Sequence, residues 1–139
     1  MCIRDSIYEG ETAAETVVRM LQNNGYSVDY TGNYETGFYL ARISSESNFV
    51  TGNIPEDLRT KLEEHGFEIY DFTPNSLGDY DFTKGSGWMY QVNGVYPNYG
   101  LSDYCFQNGD TLRLRFTLAY GADIGQDMTG GSDNWGYEW

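Results

Sequence analysis

The 139-residue chain has one histidine, two cysteines, three prolines and only 8 basic residues. With a single histidine, His65, a site built on paired histidines is excluded, and Ser/His/Asp or Cys/His catalysis would rest on one candidate base. The two cysteines, Cys2 and Cys105, allow at most one bridge and form no Cys-x-x-Cys pair for zinc or thiol exchange. Cys105, between Tyr104 and Phe106, reads as a small, half-buried side chain. Against the 8 basic residues stand 21 acidic ones, for a formal charge of -13, so a phosphate backbone or an anionic membrane surface would be repelled. No apolar run approaches the roughly 20 residues of a membrane span.

What the chain has in abundance is aromatic: 13 Tyr, 7 Phe and 3 Trp, together with 17 Gly. An acidic disordered tail would be poor in such residues, so the composition predicts a folded, largely extended domain with a solvated acidic coat. The first six residues resemble a translated adapter; on that reading an export signal and a first strand are expected to have been cut off ahead of residue 7, and Cys2 is not a native residue. Residues 7–125 are then expected to form the domain, with 126–139 as a Gly/Asp/Asn-rich tail or linker.

Ile7-Tyr8-Glu9 reads as the end of a strand. Thr12-Ala13-Ala14-Glu15 has the spacing of a capping box, and Ala14, Val17, Val18 and Leu21 follow on one helical face before Asn23-Asn24-Gly25, predicting a helix over 12–24. Short strands are expected at 26–30 and 38–43. Pro55 at a first helical position, acids behind it and Gly66 as a stop predict a second, short helix over 55–65. Residues 67–72 look extended and 73–84 read as a turn-rich connection. Trp88 to Val92 alternates and runs into Asn93-Gly94, the pair suited to a two-residue turn in which both residues take positive φ; the hairpin returns through Val95 and Tyr96 and stops at Pro97. Residues 111–120 alternate without a break, with Leu112, Leu114, Phe116, Leu118 and Tyr120 on one face and Arg113, Arg115 and Thr117 on the other, which predicts one long strand with a single buried side.

Candidate chemistry is sparse. His65 falls in the last turn of the second helix, where an imidazole answers the helix dipole. Asp79 and Asp81 are the nearest carboxylate pair for a glycosidase, yet Pro74-Asn75 and Gly78 make that stretch a turn. Calcium would suit the acidity, but no 12-residue loop of alternating acids occurs, and Gly130-Gly131-Ser132-Asp133-Asn134 has donors without the spacing. The glycines at 85–87 and 121–125 serve turns and do not open a phosphate-binding helix. The remaining functional signal is aromatic. Trp88 and Tyr90 share a strand face, and Tyr96, Asn98, Tyr99, Ser102 and Tyr104 follow in and after the hairpin, offering stacking faces and hydroxyl handles to a planar ligand or a sugar, although Tyr and Trp also suit sheet packing.

The block Gly85-Ser86-Gly87-Trp88-Met89-Tyr90-Gln91-Val92-Asn93-Gly94-Val95-Tyr96-Pro97-Asn98-Tyr99-Gly100-Leu101-Ser102-Asp103-Tyr104, with Asn108-Gly109-Asp110 and the stretch from Phe116 to Gly125 behind it, resembles a bacterial domain of unknown function grouped with the C-terminal domains of transcobalamin and intrinsic factor. Gly10-Glu11-Thr12-Ala13, Asp29-Tyr30-Thr31-Gly32 and Gly37-Phe38-Tyr39-Leu40-Ala41 match the same group. The resemblance implies an α+β, β-grasp-like fold, in which a mixed or antiparallel sheet packs on one main helix with a second short helix beside it. It also implies a ligand facing Trp88, Tyr90 and the loop 97–104; in transcobalamin-like proteins this domain forms one wall of the cobalamin site, and the helical barrel that forms the other wall is absent from these residues. The resemblance further implies a module of an exported, multi-domain surface protein. The expected function is therefore non-enzymatic binding of a small soluble ligand or glycan at the cell surface or outside it, beside neighbouring domains of a larger protein. The alternative is a structural or adhesive spacer that contacts other proteins.

Overall fold

A computed structural model of the chain describes residues 7–50, 53–97, 100–125 and 135. The element order is α1 (Ala13–Asn23), β1 (Tyr26–Thr31), β2 (Tyr39–Ser45), α2 (Glu56–Glu64), β3 (Ser76–Gly78), β4 (Gly87–Val92) and β5 (Leu112–Thr117). Two short 3-10 turns, Leu101–Asp103 and Ala122–Ile124, complete it. The architecture is α+β, and the strands form two small antiparallel sheets, β1-β2-β3 and β4-β5.

Helix α1 starts where the sequence places its cap: the Thr12 hydroxyl accepts from the Glu15 amide at 3.3 Å. Its first amide, Ala13 N, is taken by the carbonyl of Tyr104 at 2.6 Å, which fixes the loop after the hairpin against the helix. Residues 7–9 do not end a strand. Glu11 N instead closes a turn onto Tyr8 O, and the Tyr8 ring lies 4.5 Å from the Arg19 guanidinium, on the next helical turns. Glu11 turns inward to accept from Arg19 Nη2 and Nε, at 2.8 and 3.0 Å, and from the Thr16 hydroxyl at 2.6 Å. These bonds, led by the Arg19 fork, hold the Glu11 carboxyl below the usual glutamate range.

Two apolar cores result. The first packs Ala13, Ala14, Val17 and Val18 of α1 against Phe38, Leu40, Ile43 and Leu101, with Val28, Trp88, Tyr90, Tyr104, Leu112 and Leu114 around them. The second packs Leu58 and Leu62 of α2 against Ile54, Phe82, Phe116, Leu118, Ala119 and Ala122. Trp88 contacts both.

The Asn93-Gly94 turn forms as expected, with φ of 53° and 83° and reciprocal bonds between Val92 and Val95. The return strand is reduced to that one bridge, and the long partner of β4 is β5, in the register Trp88 to Phe116, Tyr90 to Leu114 and Val92 to Leu112. The strand expected over 111–120 stops at Thr117, and it does not have a single buried side. Arg115 and Thr117 are 5% and 4% exposed because the 3-10 turn at Ala122–Ile124 folds back over them. The connection 73–84 contains β3, which pairs with β2. No helix among the described residues is long and apolar enough to cross a membrane.

Candidate functional site

The aromatic residues singled out in the sequence divide between the two faces of the β4-β5 sheet. Cross-strand partners share a face, so Trp88, Tyr90 and Val92 point inward with Phe116, Leu114 and Leu112, Tyr90, Leu112 and Leu114 against the first core, Phe116 in the second and Trp88 touching both, while Met89 and Gln91 point away with Arg115 and Arg113.

On the inner face Trp88 is a packing residue. Its ring meets Phe116 edge-on at 5.2 Å, and its indole nitrogen donates to Leu77 O at 2.9 Å, tying the two sheets together. Tyr90, Tyr104 and Phe106 form a continuous row, with centroids 6.5 Å and 5.6 Å apart, and all three rings are half-buried. Burial, followed by the neighbouring Tyr104 and Asp103, pushes the Tyr90 phenol up to about 12. Ser102 is buried, and its hydroxyl accepts from Phe38 N at 3.4 Å, so it serves the loop's attachment to β2.

Tyr96 lies on the opposite face. Its hydroxyl donates to Ile124 O at 2.8 Å and accepts from Arg115 at 3.0 Å, and Arg115 also reaches Ile124 O at 3.0 Å. Burial raises the Tyr96 phenol's pKa, while Arg115 opposes the shift. Thus Trp88, Tyr90, Ser102 and Tyr104 are brought to one side and Tyr96 to the other; Asn98 and Tyr99 lie outside the described residues.

Beside Tyr96 is a buried polar knot that alternation alone does not reveal. Asp123, fully buried, accepts from the Thr117 hydroxyl and from the amides of Leu118, at 2.9 Å, and Ala119, at 3.3 Å. Thr117 Oγ1 in turn accepts from Gly121 N at 2.7 Å and from Ala119 N at 3.2 Å. Tyr120 and Gly121 then take φ of 51° and 91°. The knot satisfies the amides of a tight turn in a dry interior, where an unpaired polar group is costly. The only hint in the sequence was an acid six residues beyond a strand threonine.

The other groups that could carry chemistry are engaged in structural contacts. Asp81 accepts from Arg42 at 2.7 Å and from Gly78 N at 2.9 Å, while Asp79 accepts from the Tyr39 hydroxyl at 2.8 Å, so the two do not face a common substrate space. His65 Nδ1 is 2.9 Å from Lys61 O at the C-terminal end of α2, and its ring lies 4.7 Å from that of Trp135. Cys105 is exposed rather than half-buried, and its thiol is free. No group of three or more His, Cys, Asp or Glu among the described residues could hold a metal ion, and residues 130–134 lie outside them.

Fold and site together define an α+β domain with a half-buried aromatic row between its hairpin sheet and its main helix. Residues 64–117, from the end of α2 to the end of β5, match a family described as a domain of unknown function (DUF4430). That stretch contains the whole block from Gly85 to Tyr104. No curated protein and no solved structure matches the chain.

Proposed function

We propose that this domain is a non-enzymatic ligand-binding module of an exported or surface protein, related to the C-terminal domain of transcobalamin, and that it recognises its ligand with the row Tyr90, Tyr104 and Phe106. The observation that carries this reading is the row itself: three adjacent, half-buried rings, Tyr90 on β4 and Tyr104 and Phe106 in the loop after the 3-10 turn, packed against the core that α1 forms. Such a wall offers apolar faces and phenol hydroxyls to a corrin or another small ring ligand, with no acid/base pair needed. Trp88 lies on the same sheet face as Tyr90, so its fluorescence reports on the wall. Titration with cobalamin, cobinamide and a glycan panel should give a saturable change for one class. No response to any of them, with the far-UV spectrum of the folded domain intact, refutes the reading.

A second reading, an adhesive spacer, rests on β1. This six-residue strand is an edge of its sheet, and Ser27, Asp29, Tyr30 and Thr31 are exposed along it, so a strand from another protein could add there. Its signature would be loss of a protein contact on substituting proline at Asp29, with small-ligand binding unaffected.

A further inference from the structure

The loop after β3 contains two aromatic residues in backbone conformations that disfavour a side chain. Asp81 N bonds Gly78 O at 3.1 Å, closing a turn in which Tyr80, with φ of 68°, occupies the third position, ordinarily the place of glycine or asparagine. Thr83 N bonds Asp81 O at 2.8 Å around Phe82, also at 68°, in the rare three-residue turn of positive φ. For a bulky residue each is a genuine outlier.

Phe82 has an evident compensation, because it is 4% exposed, stacks on Phe72 at 5.1 Å and fills the second core. Tyr80 has none, since it is 71% exposed. Strain retained without a packing return points to a role for the side chain itself. Tyr80 is held in place by Arg42, which bonds Asp81, Ser76 and the Asp79 carbonyl.

Asp79, the residue before Tyr80 in the chain, accepts from the hydroxyl of Tyr39 at 2.8 Å, and Tyr39 is itself 45% exposed. Gly87 runs directly beneath, where even a Cβ would come within 3.2 Å of both the Tyr39 hydroxyl and Asp79 Oδ1. Arg42 has its charge matched by Asp81; among the described residues no cation pairs with Asp79. A carboxylate with no ion pair of its own among the described residues, bonded to one exposed tyrosine and followed in the chain by another, suits a positively charged partner on a chain of net charge -13. A neutral sugar could use the rings but would leave the charge without a role.

We propose that Tyr39, Asp79 and Tyr80 form a binding site for an organic ammonium group, the head of a lysine side chain or a free amine. This site is separate from the Tyr90 row and does not depend on it.

The test is amide chemical-shift titration of the 15N-labelled domain with acetyl-lysine amide, choline and, as the uncharged match for the lysine stem, acetyl-norleucine amide. Acetyl-lysine amide should shift the 79–81 amides saturably and acetyl-norleucine amide should not. A response to choline as well assigns the site to ammonium groups in general, whereas a response to lysine alone assigns it to protein side chains. Affinity should fall at least fivefold in Asp79→Asn, which keeps an acceptor for Tyr39, and in Tyr80→Gly, and it should weaken as salt is raised. Tyr80→Gly should also melt at a higher temperature than the parent, since it relieves the positive φ. No shift with either ammonium, an equal shift with norleucine, unchanged affinity in Asp79→Asn, or a lower melting temperature in Tyr80→Gly overturns the proposal.

Discussion

Replacing Trp88 with alanine separates packing from recognition more sharply than any other single change. The indole touches both cores, meets Phe116 edge-on at 5.2 Å and donates to Leu77 O at 2.9 Å. Truncating a large aromatic in such a position costs about 3–5 kcal/mol, of which roughly 1 kcal/mol belongs to the indole hydrogen bond and about 0.5–1.5 kcal/mol to the edge-on pair. Against the roughly 5–15 kcal/mol that holds a domain together, this is a large fraction. At about 3–4 °C per kcal/mol for a chain of this size, the melting temperature should fall by roughly 9–20 °C. Trp88→Phe retains most of the apolar contact and loses the N–H, so it should cost only about 1–2 kcal/mol. Urea unfolding followed by far-UV circular dichroism measures both. Because the indole joins the α1 core to the α2 core, the alanine variant should also broaden the transition as the two cores lose their coupling. A cost below 1 kcal/mol for Trp88→Ala, with a single sharp transition, would refute the account of Trp88 as the joint between the cores.

Thr117→Val keeps the shape of the buried knot and removes the hydroxyl that serves Asp123, Ala119 N and Gly121 N. With several buried polar groups left short of partners at about 1–3 kcal/mol each, the variant should lose at least about 3 kcal/mol in urea unfolding, and a near-neutral result would contradict the knot. Glu11→Gln tests the Arg19 fork through pH. The Glu11 carboxyl titrates below its unfolded value, so its contribution is present above the ordinary glutamate range and is lost as pH falls through the lowered folded value. The variant should therefore be less stable than the parent at pH 7, by about 1–2 kcal/mol, and the two should converge on acidification; a pH-independent difference would exclude the ion pair as its cause.

The parts of this fold legible in the sequence are those set by local chemistry. Thr12 caps α1, Gly66 (φ 81°) stops the chain after α2, and Asn93-Gly94 turns the hairpin, because each depends on residues within one turn of itself. The alternation of residues 111–120 also correctly placed Phe116 and Leu114 on the inner face. It could not show that Arg115 and Thr117 would be covered, since the groups that cover them, Ile124 O and the Asp123 carboxylate, come from a turn that folds back. That same carboxylate takes the Leu118 and Ala119 amides, which ends the ladder where the pattern would continue it. Strand β3 was hidden because three residues between Pro74-Asn75 and a turn show no periodicity, and pairing with β2 together with the Arg42 bonds makes it a strand.

The aromatic cluster was visible as composition and only partly as geometry. Tyr90 and Tyr104 come together, Phe106 extends them, and Tyr96 is taken to the other face by Arg115 and Ile124. Ser102 and Trp88 support the wall through the bonds they make to Phe38 and Leu77. The strained Tyr80 carries no sequence signal, because an aromatic residue in an acidic turn gives no indication of its φ.

The most direct measurement of the central claim is calorimetric titration of the domain and its Tyr90→Leu variant with cobinamide, cobalamin and the glycan panel, each protein first shown to have the parent's urea midpoint to within about 1 kcal/mol. The account predicts saturable binding of one ligand class by the parent and a loss of at least tenfold in the variant, about 1.4 kcal/mol. Binding that is unchanged when the Tyr90 ring is gone, or no binding by the folded parent, would contradict it.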